Sequence, residues 1–281
     1  MTRSTTTQRQ KGEAFRALHA RPQTFIIPNP WDPGTVRLLA AAGFEALATT
    51  SAGYAFSVGR RDGTVTRDEM MEHVGRIVTA TDLPVSADLE SGFGDDPHVV
   101  AETIRLGAER GLVGASIEDL VYAQLHGRAA RLHARDFAAE RVRAAVEEAR
   151  KLPFPFTLTA RCENFLIGNP DLDDTIARLQ AYQEAGADVL YAPGTTTRAQ
   201  LEAIVRSVDR PVNYVAGLAG VPLTLQELAA IGVRRVSLGS TLARAALGAF
   251  LRGVAEMKDR GSFTFAADAI PYSEVSAMLD A

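Results

Sequence analysis

"DDTIARLQAYQEAGADVLYAP", residues 173–193, decides the fold. Over 173–186 the apolar positions recur at three- and four-residue steps, the period of an amphipathic helix. Gly186 then supplies a stop signal, and "DVLYAP" (188–193) reads as a short buried strand. The same helix, glycine, strand junction recurs at "AAGFEAL" (41–47) and "AIGVRRV" (230–236).

Working outward, eight strand candidates alternate with helical segments such as "PGTVRLLAAAGF" (33–44) and "TLQELAAIG" (224–232). The candidates are "TFIIPN" (24–29), "ALATTS" (46–51), "PVSADLE" (84–90), "GASIED" (114–119), "FTLTARC" (156–162), "DVLYAP" (188–193), "PVNYVA" (211–216) and "RRVSLGS" (234–240). Strand–helix alternation builds a parallel sheet covered by helices. Eight such units in 281 residues predict an α/β, (β/α)8 TIM barrel forming a single domain over 1–281. The competing arrangement is a doubly wound open sheet, but no G-x-G-x-x-G opens a helix after the first strand. The polar residues 1–8 are expected to be flexible. After a last barrel helix at about 241–259, residues 260–281 form an extension with a helical segment.

Composition narrows the function. A net charge of −4 without a Lys/Arg run argues against a nucleic-acid partner, and no apolar stretch reaches the length of a membrane span. The opening "MTRSTTTQRQ" lacks the apolar region of a secretory signal. Cys162 is the only cysteine, which excludes an internal disulfide and a Cys-rich zinc site and makes the cytoplasm the expected location. Lysine occurs only at 11, 151 and 258, against 27 arginines, and never at the end of an apolar run. Imine-forming aldolases and pyridoxal phosphate enzymes are therefore disfavoured.

Barrel active sites form at the C-terminal ends of the strands. Here those ends carry Thr49–Ser51, then Asp88 and Glu90, then Glu118 and Asp119, then Arg161, Glu163 and Asn164, with Tyr191, Asn213 and Ser237 beyond. Asp88, Glu90 and Glu118 are hard oxygen donors without a His or Cys cluster, a set suited to Mg2+, with Mn2+ also acceptable. A divalent ion would relieve the repulsion between neighbouring acids. Arg161 carries a permanent charge able to grip a carboxylate or phosphonate in bidentate fashion. The plainer reading is an Arg–carboxylate network that only stabilises the barrel. The long glycine-punctuated segment 51–69 brings backbone N–H groups near Ser51–Gly53 for an oxyanion, and adds Asp62. Segment 120–136 is a candidate lid carrying His126 and His133, while Cys162 is expected to be a buried packing residue.

These residues resemble the isocitrate lyase / phosphoenolpyruvate mutase superfamily over roughly residues 12–260. The likeness rests on "NPWDPGTVRLLAAAGFEALATTSAG" (29–53), "VGRRDG" (58–63), "PVSADLESGFGD" (84–95), "GASIED" (114–119), and "TLTARCENF" (157–165) followed by "YQEAGADVLYAPG" (182–194). The resemblance implies a Mg2+-binding barrel, a homotetramer as a dimer of dimers, and a final helix swapped between subunits. The family's Asp-x-Asp falls on Asp88 and Glu90, its strand-four Glu on Glu118, its strand-five Arg on Arg161, and its loop acid on Asp62. The oxyanion turn maps to Thr50, Ser51 and Ala52.

Departures shape the expected activity. The lysine-rich Cys-Gly-His gate of the isocitrate and methylisocitrate lyases is replaced by "LVYAQLHGRAAR" (120–131), and the Glu or His after strand six is missing from "LYAPG" (190–194). The asparagine-bearing gate of the phosphonopyruvate mutases is not evident either, although Gln124 could stand in for it. The loop looks more like those of members that decarboxylate or cleave short 2-oxo acids. The expected function is therefore a Mg2+-dependent C–C lyase acting on a small 2-oxo or 2-hydroxy di- or tricarboxylate through an enolate, like oxaloacetate decarboxylase or methylisocitrate lyase. Arg161, Asn213 and Gln124 would contact the anionic substrate, and Tyr122, His126 or a metal-bound water would move the proton. The alternatives are a phosphonopyruvate mutase or hydrolase, and a barrel that binds metabolites without turnover.

Overall fold

The structure, a computed structural model, describes residues 6–122, 130–218 and 222–280. The strands are β1 (Phe25–Ile27), β2 (Leu47–Ala48), β3 (Val85–Asp88), β4 (Gly114–Glu118), β5 (Thr157–Arg161), β6 (Val189–Tyr191), β7 (Val212–Val215) and β8 (Arg235–Ser237). Each lies inside the stretch expected of it. All seven ladders are parallel, in the order β1-β8-β7-β6-β5-β4-β3-β2. The last seam is bridged where the Ala48 amide donates to the Pro28 carbonyl at 3.1 Å. The sheet thus curls into a nearly closed barrel, and the doubly wound alternative falls.

The helices are α1 (Gln8–Ala20), α2 (Pro33–Ala41), α3 (Ser51–Ser57), α4 (Arg67–Thr79), α5 (Pro97–Glu109), α6 (Arg135–Arg150), α7 (Leu172–Glu184), α8 (Arg198–Arg206), α9 (Leu225–Ile231), α10 (Thr241–Arg260) and α11 (Tyr272–Asp280). Local chemistry starts and stops them. Thr197 with Gln200, and Thr224 with Glu227, close reciprocal caps that satisfy amides lacking intrahelical acceptors. Gly186 ends the α7 segment at φ 100°, a left-handed conformation that costs glycine little.

Alternation along β5 shows how the barrel sorts its side chains. Leu158, Ala160 and Cys162 join the hydrophobic layer under the helices, while Thr159 accepts from Arg235 of β8 across the interior. Cys162 is free and buried, its thiol pushed well up by desolvation first, as befits a packing residue.

One terminal expectation needs correction. Thr7 caps α1 and Gln8 belongs to it, the Gln8 amide donating to the carbonyls of Ala108 and Leu112 at 2.8 and 2.9 Å, so both are held rather than frayed. The final helix lies on α2 of its own chain, with Arg37 Nη1 donating to the Leu279 carbonyl at 3.2 Å.

Helix α1 plugs the barrel floor with Phe15, Leu18 and His19. His19 Nδ1 lies 2.8 Å from the Phe15 carbonyl and Nε2 lies 3.4 Å from Arg235 Nη1, so the neutral ring donates at one nitrogen and accepts at the other. Burial, then Arg235, pushes its pKa down to about 3 from 6.5. His73, stacked on Tyr54 at 3.8 Å, is pushed down to about 4 by burial first. A lowered native pKa means that the unfolded chain binds the proton more readily. Stability from these two groups is complete above pH 6.5 and is lost as pH falls toward 4 and then 3. Each is expected to cost about 2 kcal/mol by pH 4.5. Melting curves between pH 8 and 4.5 should show His19→Gln losing less stability than wild type; equal slopes would remove His19 from the account.

Candidate active site

The strand-three acids reach the mouth by an unusual backbone. β3 ends at Asp88, the Leu89 side chain enters the core, and Glu90 turns left-handed at φ 51°. Gly92 and Phe93 follow at φ 83° and 62°. A non-glycine residue held there costs about 1–3 kcal/mol, a kind of strain that clusters at functional sites. The turn is held to the next strand where the Glu118 amide donates to the Glu90 carbonyl at 3.0 Å.

Four acids surround one arginine. Arg161 Nη1 donates to Asp88 Oδ1 at 2.9 Å, Nε to Glu163 Oε1 at 2.9 Å, and Nη2 lies 3.2 Å from Glu118 Oε2. The Tyr191 ring backs the guanidinium, its centroid 5.2 Å away. Asp88 Oδ2 accepts from Ser51 Oγ at 2.9 Å and from the Ser51 amide at 3.3 Å. Glu90 is buried, and its Oε1 has no hydrogen-bond partner among the described residues.

The electrostatics follow from burial and the excess of acids. Desolvation first, then Asp88 and Asp62, raises Glu90 to about 8 against the pull of Arg161. Glu118 is raised well above its ordinary value, chiefly by desolvation. Glu163 rises to about 7 for the same first reason. One guanidinium therefore does not neutralise the cluster, and a further cation would be welcome.

Whether a divalent ion suits these residues is decided by the donors. Every side chain on offer is a carboxylate or hydroxyl, the hard-oxygen set that Mg2+ and Mn2+ prefer. Among the described residues no three acids converge as direct ligands. An ion here would therefore have to be held by one or two carboxylates and its own waters. The orphaned Glu90 Oε1 is the second indication of fit. Glu90→Gln should therefore raise the melting temperature of the metal-free protein at pH 8, by about 1 kcal/mol of stability, by removing a charge without a partner. The same change should weaken Mn2+ binding measured by calorimetry. A lower melting point together with unchanged Mn2+ affinity would contradict this role.

The remaining candidates divide. Asp62 joins the cluster, raised by desolvation and then by Asp88, with Ser51 within hydrogen-bonding reach. Tyr122 stands near enough to Glu90 for that carboxylate to add to the desolvation raising its phenol. Thr50 Oγ1 accepts from the Gly53 amide at 3.2 Å and so caps α3. Ser51 is committed to Asp88, which leaves the Ala52 amide, early in α3 and without an intrahelical acceptor, as the donor of that turn.

The other expectations are placed, revised or left aside. All three guanidinium nitrogens of Arg161 meet carboxylates, so a bidentate grip on substrate would have to displace an acid. Asn213 lines the same small cavity as Asp88 and Arg161, its amide shared between Ser237 Oγ (3.0 Å) and Arg235 Nε (2.8 Å). Gln124 and His126 lie outside the described residues. His133 faces Asp95 at 3.1 Å, away from the acid cluster.

Sequence reasoning named Glu163 only as a polar strand end; its spacing of two from Arg161 was the available signal. No signal marked Tyr191 as the ring behind the guanidinium.

Comparison with known proteins now bears on this geometry. The family model described as phosphoenolpyruvate phosphomutase matches residues 15–258. The chain belongs to the phosphoenolpyruvate phosphomutase family. Within that family, 2-methylisocitrate lyase of Escherichia coli is 30% identical over 72% of this chain and 68% of its own length. Oxaloacetate decarboxylase of Pseudomonas paraeruginosa is 33% identical over 80% and 77%. A Burkholderia cenocepacia crystal structure, provisionally named a lyase/mutase, superposes with a TM-score of 0.94 at 61% identity, covering 98% of both chains. These relatives place the phosphomutase-family chain in the isocitrate lyase / phosphoenolpyruvate mutase superfamily of enzymes.

Proposed function

We propose that this chain is a divalent-metal-dependent lyase that breaks a carbon–carbon bond in a small 2-oxo or 2-hydroxy di- or tricarboxylate. The observation that carries the reading is the acid ring around Arg161, with the buried Glu90 Oε1 left without a hydrogen-bond partner among the described residues. Support comes from the names of the two bacterial relatives, both of which denote cleavage of such acids.

Asp88, Glu90 and Glu118 would hold Mg2+ or Mn2+. When bound, that ion would supply Lewis-acid charge to a substrate carboxylate and its neighbouring oxygen. The protein's own part is preorganisation. Ser51 fixes Asp88 by two hydrogen bonds, so that carboxylate need not reorient during reaction. Arg161 locks Asp88, Glu118 and Glu163 in one arrangement and offsets part of their mutual repulsion. The Ala52 amide at the start of α3 would donate to oxygen on which enolate charge develops. Tyr122, whose phenol is held protonated by desolvation and by Glu90, is the described side chain best placed to pass a proton to the product.

A homotetramer in the cytoplasm belongs to the same reading. It is supported by the exposed apolar residues Leu247, Phe250 and Leu251 on α10, a patch suited to a subunit contact. No helix among the described residues is long and apolar enough to cross a membrane.

Carbon–phosphorus chemistry on phosphonopyruvate is the second reading, favoured by the description of the matching family. Proton and phosphorus NMR of the Mg2+-loaded enzyme with 2-oxo, 2-hydroxy and phosphono acids separates the two. The lyase reading expects cleavage of a di- or tricarboxylate and an inert phosphonopyruvate. Turnover of phosphonopyruvate alone would replace it with the second.

A further inference from the structure

Arg141, on α6, is 1% exposed, and the hydrogen bonds it donates go to backbone carbonyls. Nε donates to Asp95 at 3.1 Å, Nη1 to Glu118 at 3.1 Å, and Nη2 to Gly94 at 3.0 Å and to Ser91. Three of those acceptors belong to the turn that follows Asp88 and Glu90, and the fourth is the carbonyl of Glu118 itself. This turn holds Glu90 and Phe93 in left-handed backbone, so its conformation needs external support. A planar guanidinium, with five donors in a fixed fork, can bind several carbonyls of a curved loop at once, which an ammonium cannot match geometrically.

We propose that Arg141 is a positioning residue that sets the Ser91–Asp95 turn and the end of β4, and thereby the places of Asp88, Glu90 and Glu118. It lies beneath the acid cluster and does not face the mouth, so it acts through those acids and not on substrate. Glu118, Asp95 and Asp119 are the acids whose fields reach it. The guanidinium therefore adds buried positive charge on the protein side of the site, where Arg161 supplies it on the open side. Its consequence for metal binding rests on the function proposed above; its control of the turn does not.

Arg141→Lys keeps the charge and loses the fork. Hydrogen exchange by mass spectrometry should show the 90–95 amides exchanging at least about tenfold faster in this variant, while α5 and β4 stay protected. Calorimetric titration should show Mn2+ affinity falling by about 10- to 100-fold, the usual cost of losing a group that supports metal ligands. Wild-type exchange at 90–95 with wild-type Mn2+ affinity in Arg141→Lys overturns the proposal. Wild-type protein that binds no Mn2+ overturns the metal reading and leaves the exchange result to judge Arg141. If Arg141→Lys does not fold, exchange in the wild-type protein decides. A turn clamped from α6 should open only together with α6, and a turn that opens ahead of α6 contradicts the clamp.

Discussion

Arg161→Gln is expected to destroy activity and to destabilise the metal-free protein, the largest combined effect of any single change. The substitution removes the one cation that, among the described residues, contacts Asp88, Glu118 and Glu163, all on the barrel's inner face. Breaking a buried ion pair from one side costs about 3–5 kcal/mol, because the partner charge stays buried without compensation. Here three acids lose the same partner, although protonation of Glu118 and Glu163, already favoured by burial, will limit the loss. Turnover should fall by about 100- to 1000-fold, the cost of removing one preorganised electrostatic group. Saturating Mg2+ should recover part of the stability and little of the activity. Thermal melts with and without Mg2+ check the first half, and steady-state kinetics the second. A variant as stable and active as wild type would remove Arg161 from both roles.

Asp88→Asn should show the opposite pattern. The amide keeps the size of the carboxylate and its oxygen can still accept from either Ser51 Oγ or Arg161 Nη1, while Arg161 retains Glu118 and Glu163. One negative charge leaves an over-acidic cluster, so metal-free stability should change by less than about 1 kcal/mol. Metal binding should suffer most. Groups that merely support ligands cost 10- to 100-fold, so a direct ligand should cost at least about 100-fold in Mn2+ affinity. A large loss of stability with intact Mn2+ binding would mean that Asp88 serves the arginine network and not an ion. The pair of substitutions thus separates the two readings open at the outset: a metal site, or a network that only holds the barrel together.

The barrel was legible because its signals are local. Apolar period, glycine stop and strand recur in one order, and each observed strand lies within its expected stretch. The family could be read from motif order, and the family model covers the same span. The site was legible as a list of strand-end residues but not as a geometry. Glu90 and Phe93 adopt backbone that their side chains disfavour, so propensity pointed away from the turn that forms. Arg161 looked free to grip substrate because Asp88 and Glu118, two of its three carboxylate partners, come from strands distant in sequence. Arg141 was invisible for a similar reason: an arginine in a helix rich in charged residues reads as solvated surface until the packing of α6 on α5 buries it. Thr50 and Ser51 follow β2, where the Thr50 oxygen caps α3 and the Ser51 hydroxyl donates to Asp88, partners that no spacing announced.

The central claim is that these acids hold a divalent ion for carbon–carbon cleavage. Its most direct test follows product formation by proton NMR, with oxaloacetate and other 2-oxo and 2-hydroxy acids, on enzyme stripped with chelator and then resupplied with Mg2+. The account predicts enzyme-dependent cleavage of at least one such acid, lost on chelation, restored by Mg2+, and not restored in Asp88→Asn. Cleavage at the same rate in stripped and resupplied enzyme would contradict it.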